Sequence, residues 1–218
     1  MKIRITFTEP LLGTVSGNKE VTKEFIASKH PQGVQPDELR AIESLDEAID
    51  KSSTCFFRDA ENGKPFLFDY QIKGFFKASC EAMLGMETHT QEELKRVRLT
   101  RYLFKKTLDT MLFIQPRKIP LNIPENKALS ELVLFSDGQI CGQCERPLRA
   151  DTMKGERIAL AKSEAAPIGT IMEYKIIVLN KKLEVYLRPW LDYGVFIGQG
   201  QWRNSGCGRF IWRELTSE

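Results

Sequence analysis

The densest candidate for chemistry in this chain lies near its end, in Gly198-Gln-Gly200-Gln-Trp202-Arg203-Asn-Ser-Gly206-Cys-Gly208. Glycine admits positive φ and, with no Cβ, lets the backbone approach a ligand closely. Successive exposed amides in such a loop form a concavity suited to phosphate oxygens. Arg203 and Arg209 add positive charge, and Trp202 offers a face on which a base can stack. The chemistry is anion and nucleic-acid recognition through the backbone. A loop of this composition also serves simply as a tightly packed turn. It is not a dinucleotide fingerprint, which would follow a strand and open a helix; this loop stands between a predicted helix and a final strand.

A second candidate runs from Lys95 to Lys118, where Lys95, Arg96, Arg98, Arg101, Lys105, Lys106, Arg117 and Lys118 face a single acidic residue, Asp109. At about 100° per residue, Lys95, Arg98, Arg101 and Lys105 fall on one side of a helix and Val97, Phe104, Leu108 and Met111 on another. A polar face of one sign is a footprint for a phosphate backbone; it is equally a solvated helix face. An anionic membrane would attract the same face, but nothing else in the sequence supports that partner. No apolar run approaches the roughly 18 residues a membrane span needs.

Acid–base and metal chemistry have few footholds. The histidines are His30, between Lys29 and Pro31, and His89. Cys141-Gly-Gln-Cys144 is half of a zinc-knuckle pattern, and a closed site needs four ligands. The second pair would have to come from Cys55, Cys80 or Cys207. No thioredoxin-like unit surrounds the motif. It reads as a structural turn with free thiols, so neither metal nor cofactor is expected. Five cysteines, an odd number scattered over 218 residues, argue against a disulfide framework. The opening Met-Lys-Ile-Arg-Ile-Thr-Phe has no signal-peptide core, so a cytoplasmic protein is expected.

These groups must be positioned by something. Ile3, Ile5 and Phe7 alternate with Lys2, Arg4 and Thr6 as in a half-buried strand. Helices are predicted near 20–28 and 37–50, followed by a hairpin turning at Asn62-Gly63 between Cys55-Phe56-Phe57 and Phe66-Leu67-Phe68. Helical spacing of Ile72, Phe75, Phe76, Ser79, Ala82 and Met83 predicts a helix over 71–84, and another is predicted from 91 to about 110. Loops around a short strand at 132–135 should fill 116–150. Strands are then predicted at 170–179, 183–188 and 207–214, with a short helix from Pro189 to Ile197. Without its long insertions, this is the α+β, ferredoxin-like order strand, helix, strand, strand, helix, strand.

With that loop ahead of the last strand, the chain resembles the repeat-associated RNA-binding superfamily of CRISPR systems, and within it the backbone-type subunits. Other segments are similar too: the strand at 2–8 running into Pro10-Leu11-Leu12-Gly13, and Ile72-Lys73-Gly74-Phe75-Phe76-Lys77, which resembles the Lys-Gly entrance to that family's first helix. Arg146-Pro147-Leu148-Arg149, Glu164 and Pro167-Ile168-Gly169-Thr170 resemble the approach to its second core strand. The chain departs from the pattern at Asp69-Tyr70-Gln71, where many backbone subunits carry a Pro-Gly-Ser type of lead-in. A virus-encoded relative fits the same residues.

The resemblance implies a single domain over 1–218, with a ferredoxin-like core from 1–8, 69–85 and 166–218 and insertions at 9–68 and 86–165. It implies an RNA-binding subunit of a CRISPR-type ribonucleoprotein, holding single-stranded guide RNA by its phosphates beside other protein subunits. The implied contacts are Gly198, Gly200, Trp202, Arg203, Gly206, Gly208, Arg209, Lys73 and Lys77, extended by Arg98, Arg101 and Lys105. Two alternatives stay open: a metal-independent endoribonuclease, for which His30 is the catalytic candidate, and a viral or accessory protein docking through protein contacts. Subunits that cut target RNA use an Asp after their first strand; none lies between Thr8 and Glu20. Lys73-Gly74-Phe75-Phe76 also mimics an RNA-recognition motif, but helical spacing buries aromatics that such a motif displays on a strand.

Overall fold

A computed structural model of the chain describes residues 1–29, 33–45, 53–86, 90–125, 133–135, 140–152 and 155–215. Its first elements are β1 (Lys2–Phe7), β2 (Leu11–Leu12), β3 (Val15–Ser16), α1 (Lys19–Lys29), α2 (Pro36–Glu43), β4 (Thr54–Cys55), β5 (Phe57–Arg58) and β6 (Pro65–Phe68). There follow α3 (Asp69–Met83), α4 (Gln91–Arg96), α5 (Phe104–Met111), β7 (Leu112–Gln115) and β8 (Lys118–Pro120). The chain ends with β9 (Gly142–Thr152), β10 (Gly155–Ala166), β11 (Ile171–Val178), α6 (Glu184–Ile197) and β12 (Phe210–Glu214).

The fold is α+β. Its central sheet is antiparallel, with strands in the order β12-β1-β11-β7. Strict alternation makes the sheet one-sided. Ile3, Ile5 and Phe7 of β1 and Met172, Tyr174 and Ile176 of β11 are buried, in one cluster with Phe75 and Phe76 of α3 and Trp190 and Leu191 of α6. Arg4 and Glu173 pair on the opposite face at 2.6 Å. Along the chain this sheet and its two helices run β1, α3, β7, β11, α6, β12.

The succession of strands and helices is the expected one, but the residues that fill its second and third strand places differ. The second strand is Leu112–Gln115, within the stretch 86–165 assigned to an insertion, and residues 183–188 are helical. Leu183, Val185 and Leu187 alternate with polar residues, but the buried set is Leu183, Tyr186, Leu187, Trp190, Leu191 and Gly194. That spacing has a period near 3.6, and Val185 is exposed. Conversely, Leu112 and Ile114 are buried while Phe113 and Gln115 are exposed, a strand pattern too short to stand out beside a helix.

The helix expected over 91–110 is broken. Thr90 caps α4, with Glu93 reaching back to the Thr90 amide at 3.0 Å. Arg98 then takes the left-handed conformation (φ 60°), Leu99 N–H donates to Leu94 O and Arg98 N–H to Lys95 O. This pair of bonds is a Schellman stop. It carries Leu99 into the core beside Leu94, so Lys95, Arg98, Arg101 and Lys105 share no single helical face. Of the helix read over 37–50, α2 occupies Pro36–Glu43, and 46–50 lie outside the described residues.

β9 and β10 form a long hairpin in register from Gly155↔Thr152 to Ala165↔Gly142. Its base joins β2 and β4 in a second sheet. Arg146-Pro147-Leu148-Arg149, read as the approach to a core strand, lies on this hairpin, whereas Pro167–Thr170 does lead into β11. The expected strand at 132–135 is a single bridge, Leu134↔Gln143. β5-β6-β8 form a third sheet, with Asn62-Gly63 at the predicted turn and Gly63 at φ 67°. Among the described residues, no helix is long and apolar enough to cross a membrane.

Candidate nucleic-acid interface

The glycine loop begins where α6 ends. Gly198 takes φ 70° and closes the helix through its amide to Gly194 O at 2.9 Å. Gln199 N–H donates to Gly208 O and Gly208 N–H to Pro10 O, so the ends of the loop are tied together and to the chain after β1. A Cβ on Gly208 would lie 1.8 Å from Gln199 O, and one on Gly198 2.6 Å from Cys207 O. These two glycines are required by the chain's approach to itself.

The middle of the loop is different. Gly200, at φ 86°, abuts Leu11 and Leu12, and Gly206 reaches φ 91° with the Arg209 side chain at ordinary contact distance. Among the described residues, no acceptor lies on the amides of Gly200, Gln201, Trp202 or Arg203. Four consecutive amides of this kind are available as donors to an anion.

Gln199, Gly200 and Arg203 form one wall of a groove of about 920 Å³. The opposite wall is α3, contributing Lys73, Gly74 and Lys77, with Asp109 and Arg117 nearby. Gln71 fixes the start of α3, accepting from Phe68 N–H at 2.8 Å and donating to Thr14 Oγ1 at 2.8 Å. Lys73 and Lys77 follow one turn apart on that helix. Phe75 and Phe76 are buried in the core, and Phe75 also lines the groove.

Three of the groove's cations, Lys73, Lys77 and Arg117, are already engaged. Lys77 pairs with Asp109 at 2.6 Å. Lys73 donates to the Asp109 carbonyl at 3.2 Å and lies over the Phe113 ring. Burial pushes the Lys73 ammonium below the usual lysine range, against the pull of the Asp109 charge. Arg117 bonds Asp37 at 2.7 Å and the buried Glu38 at 2.8 Å. Burial raises Asp69, the other groove carboxyl, above its ordinary range.

The remaining predicted contacts are dispersed. Arg209 donates to Phe196 O at 3.0 Å. Trp202 lies over the guanidinium of Arg146, 5.5 Å from Cζ to the ring centre. Arg98, Arg101 and Lys105 are exposed on the α4–α5 turn and the start of α5, outside the groove lining. His30 and His89 lie outside the described residues. Cys141, just before β9, and Cys144, within it, enter different apolar clusters, and burial pushes the Cys141 thiol up to about 12. Among the described residues, no three His, Cys, Asp or Glu side chains group closely enough to hold a metal ion.

The sequence reading missed the groove's α1 wall, where Val21 and Phe25 are exposed at 50% and 59%. An exposed Phe on a short amphipathic helix was the available signal. It also missed Arg146 and Asp109 as members of the site. Both depend on pairings made far along the chain.

No protein-family model matches the chain, and no curated protein matches it. Among solved structures, it is similar to a chain of a Type IV-B CRISPR complex, with 11% identity, a TM-score of 0.47, and coverage of 97% of this chain and 88% of that one. It is also similar to a chain in the cryo-EM structure of the Type III-B Cmr-beta complex bound to cognate target RNA, with 12% identity and a TM-score of 0.42. That match covers 98% of this chain and 60% of the other.

Proposed function

We propose that this chain is an RNA-binding subunit of a CRISPR-type ribonucleoprotein, built on a ferredoxin-like core, that holds single-stranded guide RNA by its phosphate backbone in the cytoplasm. One observation carries the reading. The groove lined by Gly200 and Arg203, at the two ends of the run of free amides, is also lined by Lys73 and Lys77 of α3. Amides and ammonium groups recognise phosphate without reading sequence, as a holder of variable guides requires. Arg98, Arg101 and Lys105 would extend the path beyond the groove.

The test is titration of single-stranded RNA across a range of salt. Affinity should fall steeply as salt rises, and Arg203→Ala and Lys73→Ala should each lower the slope by about 0.7. Lys181→Ala, outside the groove, should not. Folded variants that all bind like the parent would exclude the groove as the RNA site, and no binding at low salt would exclude RNA as the ligand.

The hairpin favours a second kind of partner, the other protein subunits of such a complex. Ile158 and Leu160 on β10 are 66% and 67% exposed, a display usually associated with an interface. Ile158→Ser with Leu160→Ser should leave RNA affinity untouched while reducing recovery of the chain in the assembled complex. Unchanged recovery would exclude this surface.

A further inference from the structure

Arg146 is 7% exposed, and among the described residues no carboxylate pairs with it. Its two terminal nitrogens donate to neutral acceptors, Ser163 Oγ at 3.3 Å and Gln201 Oε1 at 2.7 Å, and its Nε has no partner. Burying a guanidinium without a counter-charge is unfavourable, because low dielectric penalises the ion and neutral partners compensate only part of that cost. The indole of Trp202 covers it, which supplies a cation–π contact but no anion.

Trp202 is itself strained. Its backbone stands at φ 53°, the left-handed region that a bulky aromatic residue rarely occupies. Such strain persists only where the surroundings impose it, and it clusters at ligand clamps. A strained lid and an uncompensated buried cation thus meet at one point, beside the free amides of Gly200–Arg203.

We infer that Trp202 and Arg146 form a latch for a phosphate of single-stranded RNA, a deepening that rests on the RNA-binding reading above. In the closed form the indole rests on the guanidinium. When a nucleobase takes the indole face, Trp202 swings outward with Gln201, and the uncovered guanidinium receives the neighbouring phosphate through Nε and a terminal nitrogen. The exchange replaces a cation–π contact by base stacking, and hydrogen bonds from the guanidinium to neutral acceptors by bonds to an anionic one.

Two probes test the latch: inorganic tripolyphosphate, followed by isothermal titration calorimetry, and a fluorescein-labelled dodecauridylate, followed by anisotropy. Trp202→Ala opens the latch permanently. It should bind tripolyphosphate about tenfold more tightly than the parent and the oligonucleotide more weakly, since stacking is lost. Arg146→Gln should lose most tripolyphosphate binding and lower the oligonucleotide salt slope by about 0.7, with partial recovery in Arg146→Lys. If Arg146→Gln does not fold, Trp202→Ala decides alone: tripolyphosphate binding that is unchanged or weaker overturns the latch. Oligonucleotide binding with parent-like slopes in Arg146→Gln overturns the latch and leaves the RNA-binding reading intact. A parent that ignores the oligonucleotide but shows the tripolyphosphate responses does the opposite, overturning RNA binding and leaving an anion latch. Absence of both responses removes both.

Discussion

Gly194 on α6 and Phe210 on β12 are packed so closely that a Cβ on the glycine would stand 2.2 Å from the ring's Cζ, and 2.7 Å from that of Phe75. The glycine lets α6 settle against the sheet at the strand that leaves the glycine loop. Two effects oppose each other in Gly194→Ala. Helix propensity favours alanine by about 1 kcal/mol, while overpacking a filled core typically costs about 1–3 kcal/mol. The clash involves two buried rings with no free direction to move, so packing wins. The variant should unfold at lower urea concentration than the parent; an equal or higher midpoint would show that the rings can retreat.

Arg98 offers the opposite case. It holds φ 60° at the stop of α4, with its side chain in solvent. A left-handed conformation costs a non-glycine residue about 1–2 kcal/mol, and glycine's extra freedom in the unfolded chain returns about 0.5–1 kcal/mol of that. Arg98→Gly should therefore be slightly more stable, by about 0.5–1 kcal/mol in denaturant titration. A clear loss would mean that the arginine side chain holds the turn.

Asp109 restrains the groove. Its carboxylate pairs with Lys77 at 2.6 Å, and its carbonyl holds Lys73. Asp109→Asn removes one negative charge facing the RNA path and frees an ammonium. Single-stranded RNA should bind about two- to fivefold more tightly, the scale of one partly exposed ion pair, with a steeper salt dependence. Weaker binding in a folded variant would make Asp109 a positioning residue for the lysines.

The acid limb of stability should report Asp37. Burial alone would raise its carboxyl, but the hydrogen bond and charge of Arg117 more than offset this and hold it below the ordinary range. The folded chain then releases this proton at lower pH than the unfolded one. The contribution is present above the unfolded value of 3.8 and disappears as pH falls through the folded one. Asp37→Asn should lower the melting temperature at neutral pH, and that difference should shrink as pH falls below the unfolded value of 3.8. A difference independent of pH would assign the effect to packing.

Some of this molecule was legible in local order. β1, α3 and β11 follow from periodicity in single segments, because each alternates or repeats strongly enough for its buried face to be read directly. The glycine loop was legible because positive φ restricts residue choice: Gly198, Gly200, Gly206 and Gly208 all occupy it. Distance along the chain decided the rest. Residues 183–188 carry both a two-fold and a 3.6-fold pattern, and only the sheet, already filled by Leu112–Gln115, selects the helix. Leu99 enters the core at the expense of a continuous basic helix, since burying it outweighs a solvated stripe of charge. Lys73 and Arg203, 130 positions apart in sequence, face one groove because α3 and α6 pack on the same side of the sheet, and Arg146 meets Trp202 because β9 begins beneath the loop. Local sequence encodes which backbone shapes are cheap; which side chains meet is set by the common burial of faces that lie far apart along the chain.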